Sequence, residues 1–232
     1  MTARSPTLVS PRLSRLAQRS AEAAEEQQEH CELCGAAVPA EHRHVIDVQT
    51  RQLLCACRAC SLLFDRRAAG GGHFRLVGDR RLRLEAFELS DPTWERLRIP
   101  VDMAYFFNST AAERVMAFYP SPMGATESRL EFATWQEVEQ ANPVLETLEP
   151  DVEALLVNRA KGVRRYWIVP VEDCYRLVAL IRTRWRGFTG GKEVWQELER
   201  FFDELDRRAR NLDNVGAQSL SKGAGNAEHQ PR

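Results

Sequence analysis

The sequence predicts an α+β chain: a small cysteine-bearing β module, then a larger mixed domain that closes with two amphipathic helices. Three observations predict it. Five of the six cysteines fall between Cys31 and Cys60. Short β-prone apolar runs, separated by prolines and polar turns, fill the middle of the chain. Near the C-terminus two stretches carry apolar residues at helical spacing. At 232 residues, 44% hydrophobic and 28% charged, the chain is long enough and apolar enough to build a core.

Elements follow in order. Residues 1–29 form an arm in which Pro11–Gln28 is rich in good helix formers; its large apolar residues are only Leu13 and Leu16, a narrow stripe. Residues 30–67 hold the cysteine module, with short runs at Val45–Val48, Leu53–Leu54 and Leu62–Phe64 that suit a hairpin. Ala68–Gly72 is a glycine-rich linker. In residues 73–210 strands are expected at His73–Val77, Arg81–Phe87, Val101–Asn108, Arg114–Tyr119, Val152–Asn158 and Arg165–Val169, with Pro92, Pro100, Pro120 and Pro122 confining them. A short helix is expected at Trp135–Gln140, ended by Asn142-Pro143.

The last two helices carry the strongest periodicity. In Val171–Trp185 the residues Cys174, Leu177, Val178, Ile181 and Trp185 share one face. In Lys192–Arg210 the face comprises Val194, Leu198, Phe201, Phe202 and Leu205. Residues 211–232 lose periodicity and read as a disordered tail.

Cys31-Glu-Leu-Cys34-Gly35 is followed, after twenty-two residues, by Cys57-Arg-Ala-Cys60. Two residues between cysteines let one tight turn aim both sulfurs at the same ion, and a hairpin brings the second pair beside the first. This is the pattern of a four-thiolate Zn²⁺ site, a zinc ribbon of rubredoxin-like outline in which Cys31, Cys34, Cys57 and Cys60 are the ligands. Gly35 supplies the positive φ such a turn often needs. Iron is the competing metal; Ser61, where a rubredoxin turn has glycine, argues for zinc. A disulfide framework would need an oxidising compartment, and a cytoplasmic location is the simpler expectation.

Cys55, two residues before Cys57, reads either as a substitute ligand or redox-active thiol near the metal or, preferably, as a small buried hydrophobe in the hairpin. His42, His44 and His30 stand near the cysteines, but four thiolates already complete a tetrahedral shell, so a supporting or surface role is expected. His73 stands alone, and Cys174 belongs to a helix core face. Beyond the module, Asp102, Glu113, Glu127, Glu131, Glu172 and Asp173 identify no carboxylate pair, and no nucleophile motif occurs. Thr189 is placed to cap the last helix, with Gly190 and Gly191 beside it. Arg164, Arg165, Arg182, Arg184 and Arg186 with Trp167 and Trp185 form an Arg/Trp-rich neighbourhood, either a contact surface or core tryptophans under a solvated basic face.

The chain resembles an uncharacterised bacterial family often encoded beside genes for uptake nickel–iron hydrogenases. The residues that carry the resemblance are Cys31–Gly35, Glu41–His44, Leu53–Phe64 and Gly187–Trp195. The resemblance implies a neighbourhood rather than an activity. The expected function is therefore a metal-binding, non-enzymatic accessory or adaptor, with a hydrogenase subunit or maturation factor as its protein partner. The alternatives are a rubredoxin-like iron electron carrier and a nucleic-acid-binding ribbon. No apolar run is long enough to span a membrane.

Charge weighs against the nucleic-acid alternative. The chain has 32 basic and 33 acidic side chains, and in the module Arg43, Arg51 and Arg58 are balanced by Glu32, Glu41 and Asp47. Arginine is the usual basic residue here, a preference that coding bias explains. Binding to mixed-sequence DNA or RNA at physiological salt is expected to be weaker than ~10⁻⁶ M. An anisotropy titration showing tighter, salt-sensitive binding would overturn this, and its loss on mutating Arg182, Arg184 and Arg186 together would place the contact in the second domain.

Overall fold

The computed structural model describes residues 28–64, 72–187 and 190–211. The helix expected over Pro11–Gln28 lies, but for its last residue, outside them, as do most of the glycine-rich segment and residues 212–232. Two sheets form the described part. The smaller contains β1 (Arg43–Asp47), β2 (Leu53–Ala56) and β3 (Phe74–Leu76) in the order β2-β1-β3, all antiparallel. Asp47 organises the β1–β2 turn: its carboxylate accepts from the backbone N–H groups of Gln49 (2.8 Å) and Thr50 (3.0 Å). The turn then closes through Arg51 at φ +60°. Helix α1 (Arg58–Leu63) follows β2 with a single residue, Cys57, between them.

Strand β3 lies beyond the glycine-rich segment, yet it pairs with β1 through Val45–Leu76, Ile46–Arg75 and Asp47–Phe74. The candidate strand at His73–Val77 thus completes the small sheet and takes no part in the large one. Chain on both sides of the glycines closes this sheet.

The large sheet has seven strands: β4 (Leu82–Arg83), β5 (Met103–Ser109), β6 (Arg114–Ser121), β7 (Gly124–Ser128), β8 (Glu153–Asn158), β9 (Arg165–Pro170) and β10 (Arg210–Asn211), in the order β10-β4-β9-β8-β5-β6-β7. Every pairing is antiparallel except β10 on β4. Helices α2 (Asp91–Arg96) and α3 (Phe132–Ala141) pack on one face; α4 (Val171–Arg184) and α5 (Gly191–Arg208) pack on the other. Side chains alternate across a strand, so Tyr105, Phe107, Leu156, Trp167 and Val169 meet α4 and α5, while Ala104, Phe106, Leu155, Val157 and Ile168 meet α2 and α3. Covering both faces is why β5, β8 and β9 read as continuous apolar runs. Trp167 is fully buried and stacks on Phe202 at 5.3 Å, and its indole N–H donates to Asp206 at 2.8 Å.

The structure departs from the sequence expectations where local chemistry outweighs composition. Arg81–Phe87 contributes only the two-residue β4. Pro120 lies inside β6 opposite Ala125 of β7, beyond the stretch of β6 that pairs with β5. Its missing N–H therefore costs no bond to β5. Helix α2 was hidden by the proline-rich reading, although Ser90-Asp91-Pro92-Thr93 is a cap signature: the Ser90 hydroxyl accepts from the Thr93 N–H at 3.2 Å. The cap residue of α5 is Gly190 at φ +81°, not Thr189, which lies outside the described residues.

A third apolar cluster joins the two sheets: Ile46, Val48, Val77, Val152 and Val171 are buried together. Beside it, Arg81 donates to both oxygens of Asp173, at 2.6 and 3.1 Å, with both side chains buried. Removing one member leaves a buried charge unpaired. Asp173→Ala is expected to cost about 3–5 kcal/mol, read as a lower urea midpoint at constant slope. Gly190→Ala should also destabilise, by at least about 1 kcal/mol, because the new Cβ would need a left-handed backbone. It would also fall 2.7 Å from Val194 Cγ1 and 2.9 Å from Trp185 Cε3. Unchanged midpoints would refute either expectation.

Candidate metal centre

The four cysteines singled out from the sequence come together. One sulfur from each of Cys31, Cys34, Cys57 and Cys60 lies within 4.8 Å of the others, and the Cys34 and Cys57 sulfurs are 3.7 Å apart. Ligands about 2.3 Å from a tetrahedral zinc lie about 3.8 Å from one another, so the spacing fits one four-coordinate ion. All six cysteines are free thiols.

Two different local devices aim the pairs. The first pair sits on a tight turn closed by a 2.7 Å bond from the Gly35 N–H to the Cys31 carbonyl, with Gly35 at φ +75° as the spacing requires. The second pair opens a helix instead of a second β-turn: Cys57 is the N-cap of α1, and its sulfur accepts from the Cys60 N–H at 3.4 Å. Backbone pairing holds the halves in register, with the Glu32 N–H donating to the Cys55 carbonyl at 2.9 Å. The Cys55 N–H donates back to the Glu32 carboxylate at 2.6 Å.

The electrostatics favour a cation at the centre of the four sulfurs. Burial opposes ionisation of Cys31, but N–H groups of Cys57, Leu33 and Cys34 outweigh it and bring the thiol down to about 6. Cys57 is lowered by the Cys60 N–H. Cys60 is pushed up to about 12 by its hydrogen bonds to the Cys34 and Cys57 sulfurs. Four neighbouring sulfurs cannot all ionise without a positive charge among them, and a thiolate-binding metal supplies it.

A second donor group stands beside the first. His42, His44 and Cys55 bring one ring nitrogen or sulfur each to within 4.8 Å of one another. His42 Nδ1 donates to the Pro39 carbonyl at 2.9 Å, and the two imidazole centroids are 4.6 Å apart. His44 faces Cys55 across the β1–β2 pair, and its Nδ1 lies 3.2 Å from a carboxylate oxygen of Glu172 on α4. That hydrogen bond, acting against burial, holds Glu172 below the usual carboxylate range. Burial and the nearby Glu29 and Glu32 push the Cys55 thiol up.

Cys55 is half-buried and grouped with the histidines, away from the role of a small core hydrophobe. Glu172, which identified no carboxylate pair in the sequence, is half-buried and engaged. His44 and Glu172 lie 128 residues apart, and no local motif signals their contact. Cys174 is fully buried beneath the large sheet, while His30 and His73 are exposed.

The Arg/Trp neighbourhood divides into core and surface. Trp167 is core, and Trp185 packs edge-on against Trp195 at 6.1 Å. Arg164 pairs with Asp91, and Arg165 with Asp203 and Asp206. Arg182, Arg184 and Arg186 are exposed.

Among the described residues no helix is long and apolar enough to cross a membrane. Searches of curated proteins and of solved structures return no significant match. A family model does match, over residues 30–209, which takes in the four cysteines, both histidines, Cys55, Glu172 and nearly all of the large sheet. The chain belongs to the family of unknown function DUF5947.

Proposed function

We propose that Cys31, Cys34, Cys57 and Cys60 hold one Zn²⁺ in a structural role, and that the protein is a non-enzymatic accessory or adaptor that docks on another protein. The observation that carries this reading is the closed shell: four sulfurs at tetrahedral spacing leave no coordination position for a substrate. Zinc then acts through stability. The small sheet is too short to bury a core of its own, and metal binding, on the order of 10 kcal/mol for structural zinc modules, contributes directly to its folding. A cytoplasmic setting, where thiols stay reduced, is part of the reading.

The partner surface is supported by Leu62 and Leu63, which are 68% and 63% exposed on α1, the helix that carries Cys60. Two neighbouring leucines held in water by a metal-anchored helix suit a protein contact. The resemblance described above suggests a hydrogenase subunit or maturation factor as that partner.

Metal analysis of anaerobically purified protein tests the centre. Each single Cys→Ser variant at positions 31, 34, 57 and 60 is expected to lower zinc by about one equivalent and to loosen β1–β3, with the large sheet retained by circular dichroism. Zinc retained in all four variants, or a red iron protein with a reversible one-electron couple, would overturn the structural-zinc reading. Copurification from cells expressing tagged protein at native level tests the adaptor role. Leu62→Glu/Leu63→Glu should abolish recovery of the partner while leaving zinc content unchanged, and recovery of the protein alone from the wild type would remove the support.

A further inference from the structure

Among the described residues, His42 carries an unexplained feature: its side chain is only 5% exposed, and Nε2 is buried without a hydrogen-bond partner. An imidazole nitrogen withdrawn from water and left unpaired is destabilising unless something binds it. The other nitrogen explains its state. Nδ1 donates to the Pro39 carbonyl, so the proton sits there and Nε2 presents a lone pair. His44 has the same arrangement in stronger form, since its Nδ1 faces the Glu172 carboxylate at 3.2 Å. A carboxylate behind an imidazole fixes the ring and raises the basicity of the opposite nitrogen, as it does behind metal-bound histidines. The third donor is the Cys55 sulfur, within 4.8 Å of a ring nitrogen of each histidine.

We propose that His42, His44 and Cys55 form a second metal site, separate from the four-cysteine centre, for a divalent first-row transition cation of the zinc type. Two imidazoles and one thiolate are a donor set for such ions and a poor one for magnesium or calcium. The two sites differ in kind. Three protein donors leave a fourth position open; His42, His44 and Glu172, though not Cys55, also line a cavity of about 800 Å³ beside the group. The site can therefore exchange a water or take a small anionic donor at the metal, which the closed centre cannot.

Cobalt(II) added to full-length protein already carrying zinc on its four cysteines provides the test. One further equivalent per chain is expected, with the charge-transfer absorption of a cobalt–thiolate bond. Cys55→Ser, which keeps the side-chain volume, should remove that absorption while zinc content stays unchanged. His42→Gln/His44→Gln should abolish the second equivalent, and Glu172→Gln, which touches only the imidazole, should weaken it about 10–100-fold. No second equivalent in the wild type, or cobalt uptake and absorption unaltered in Cys55→Ser and the double histidine variant, would overturn the proposal. Retained zinc in each variant reports an intact first centre. Failure of the structural-zinc reading would appear instead as zinc loss or retention that ignores the four cysteines, so the two can fail independently.

Discussion

Strand β9 passes into helix α4 without a connecting residue, and the four residues that follow Pro170 fasten the molecule in four directions. Val171 enters the apolar cluster shared with Ile46 of the small sheet and with Val48 and Val77 just beyond its strands, and its N–H donates to the Val152 carbonyl at 2.9 Å. Glu172 accepts from His44, Asp173 holds Arg81, and Cys174 sinks into the core between α4 and the large sheet. One helical turn sends successive side chains about 100° apart, so a single turn at this junction can address both sheets. Because β9 is an inner strand and the helix runs back across the face of the large sheet over β8, β6 and β7, the turn has little freedom, and the small sheet docks against a rigid body.

That dependence is unequal. The large sheet buries apolar side chains on both faces, with Cys174 among them. The small sheet has three strands of three to five residues, and a sheet of that size with one shallow apolar face is marginal in isolation. Two supports hold it in place, the shared valine and isoleucine cluster and polar ties, and a metal on the four cysteines would add a third. Among the ties, Arg75 on β3 reaches Glu149 and Asp151 of the larger unit. The Tyr175 hydroxyl of α4 donates to the Arg51 carbonyl at 2.9 Å. The four-cysteine cluster thus sits at a fixed position on a larger body.

The abundance of arginine has a structural counterpart in matched acids. Arg80 pairs with Glu153, Arg81 with Asp173, Arg83 with Asp206, and Arg159 with Asp91 while lying over the Trp94 ring at 5.3 Å. Planar guanidinium groups make such forked and stacked contacts better than ammonium groups do. Many of the described arginines are thus occupied in holding segments together.

What the sequence determined by itself was local. The C-x2-C spacing with Gly35 is short-range geometry, and the apolar faces of α4 and α5 are helical periodicity; both are written within a few turns of chain. Pro120 and the Ser90 cap show where composition misleads, since a proline is judged by its strand neighbours and a cap by one hydroxyl. Only the tertiary structure decided that β3 crosses the glycine-rich segment to pair with β1, because register over that distance depends on which buried face a short strand can complete. Only it set Glu172 behind His44 and grouped Cys55 with two histidines. A contact between residues 128 positions apart exists because α4 is laid across the face of the large sheet, and no property of either residue alone encodes it.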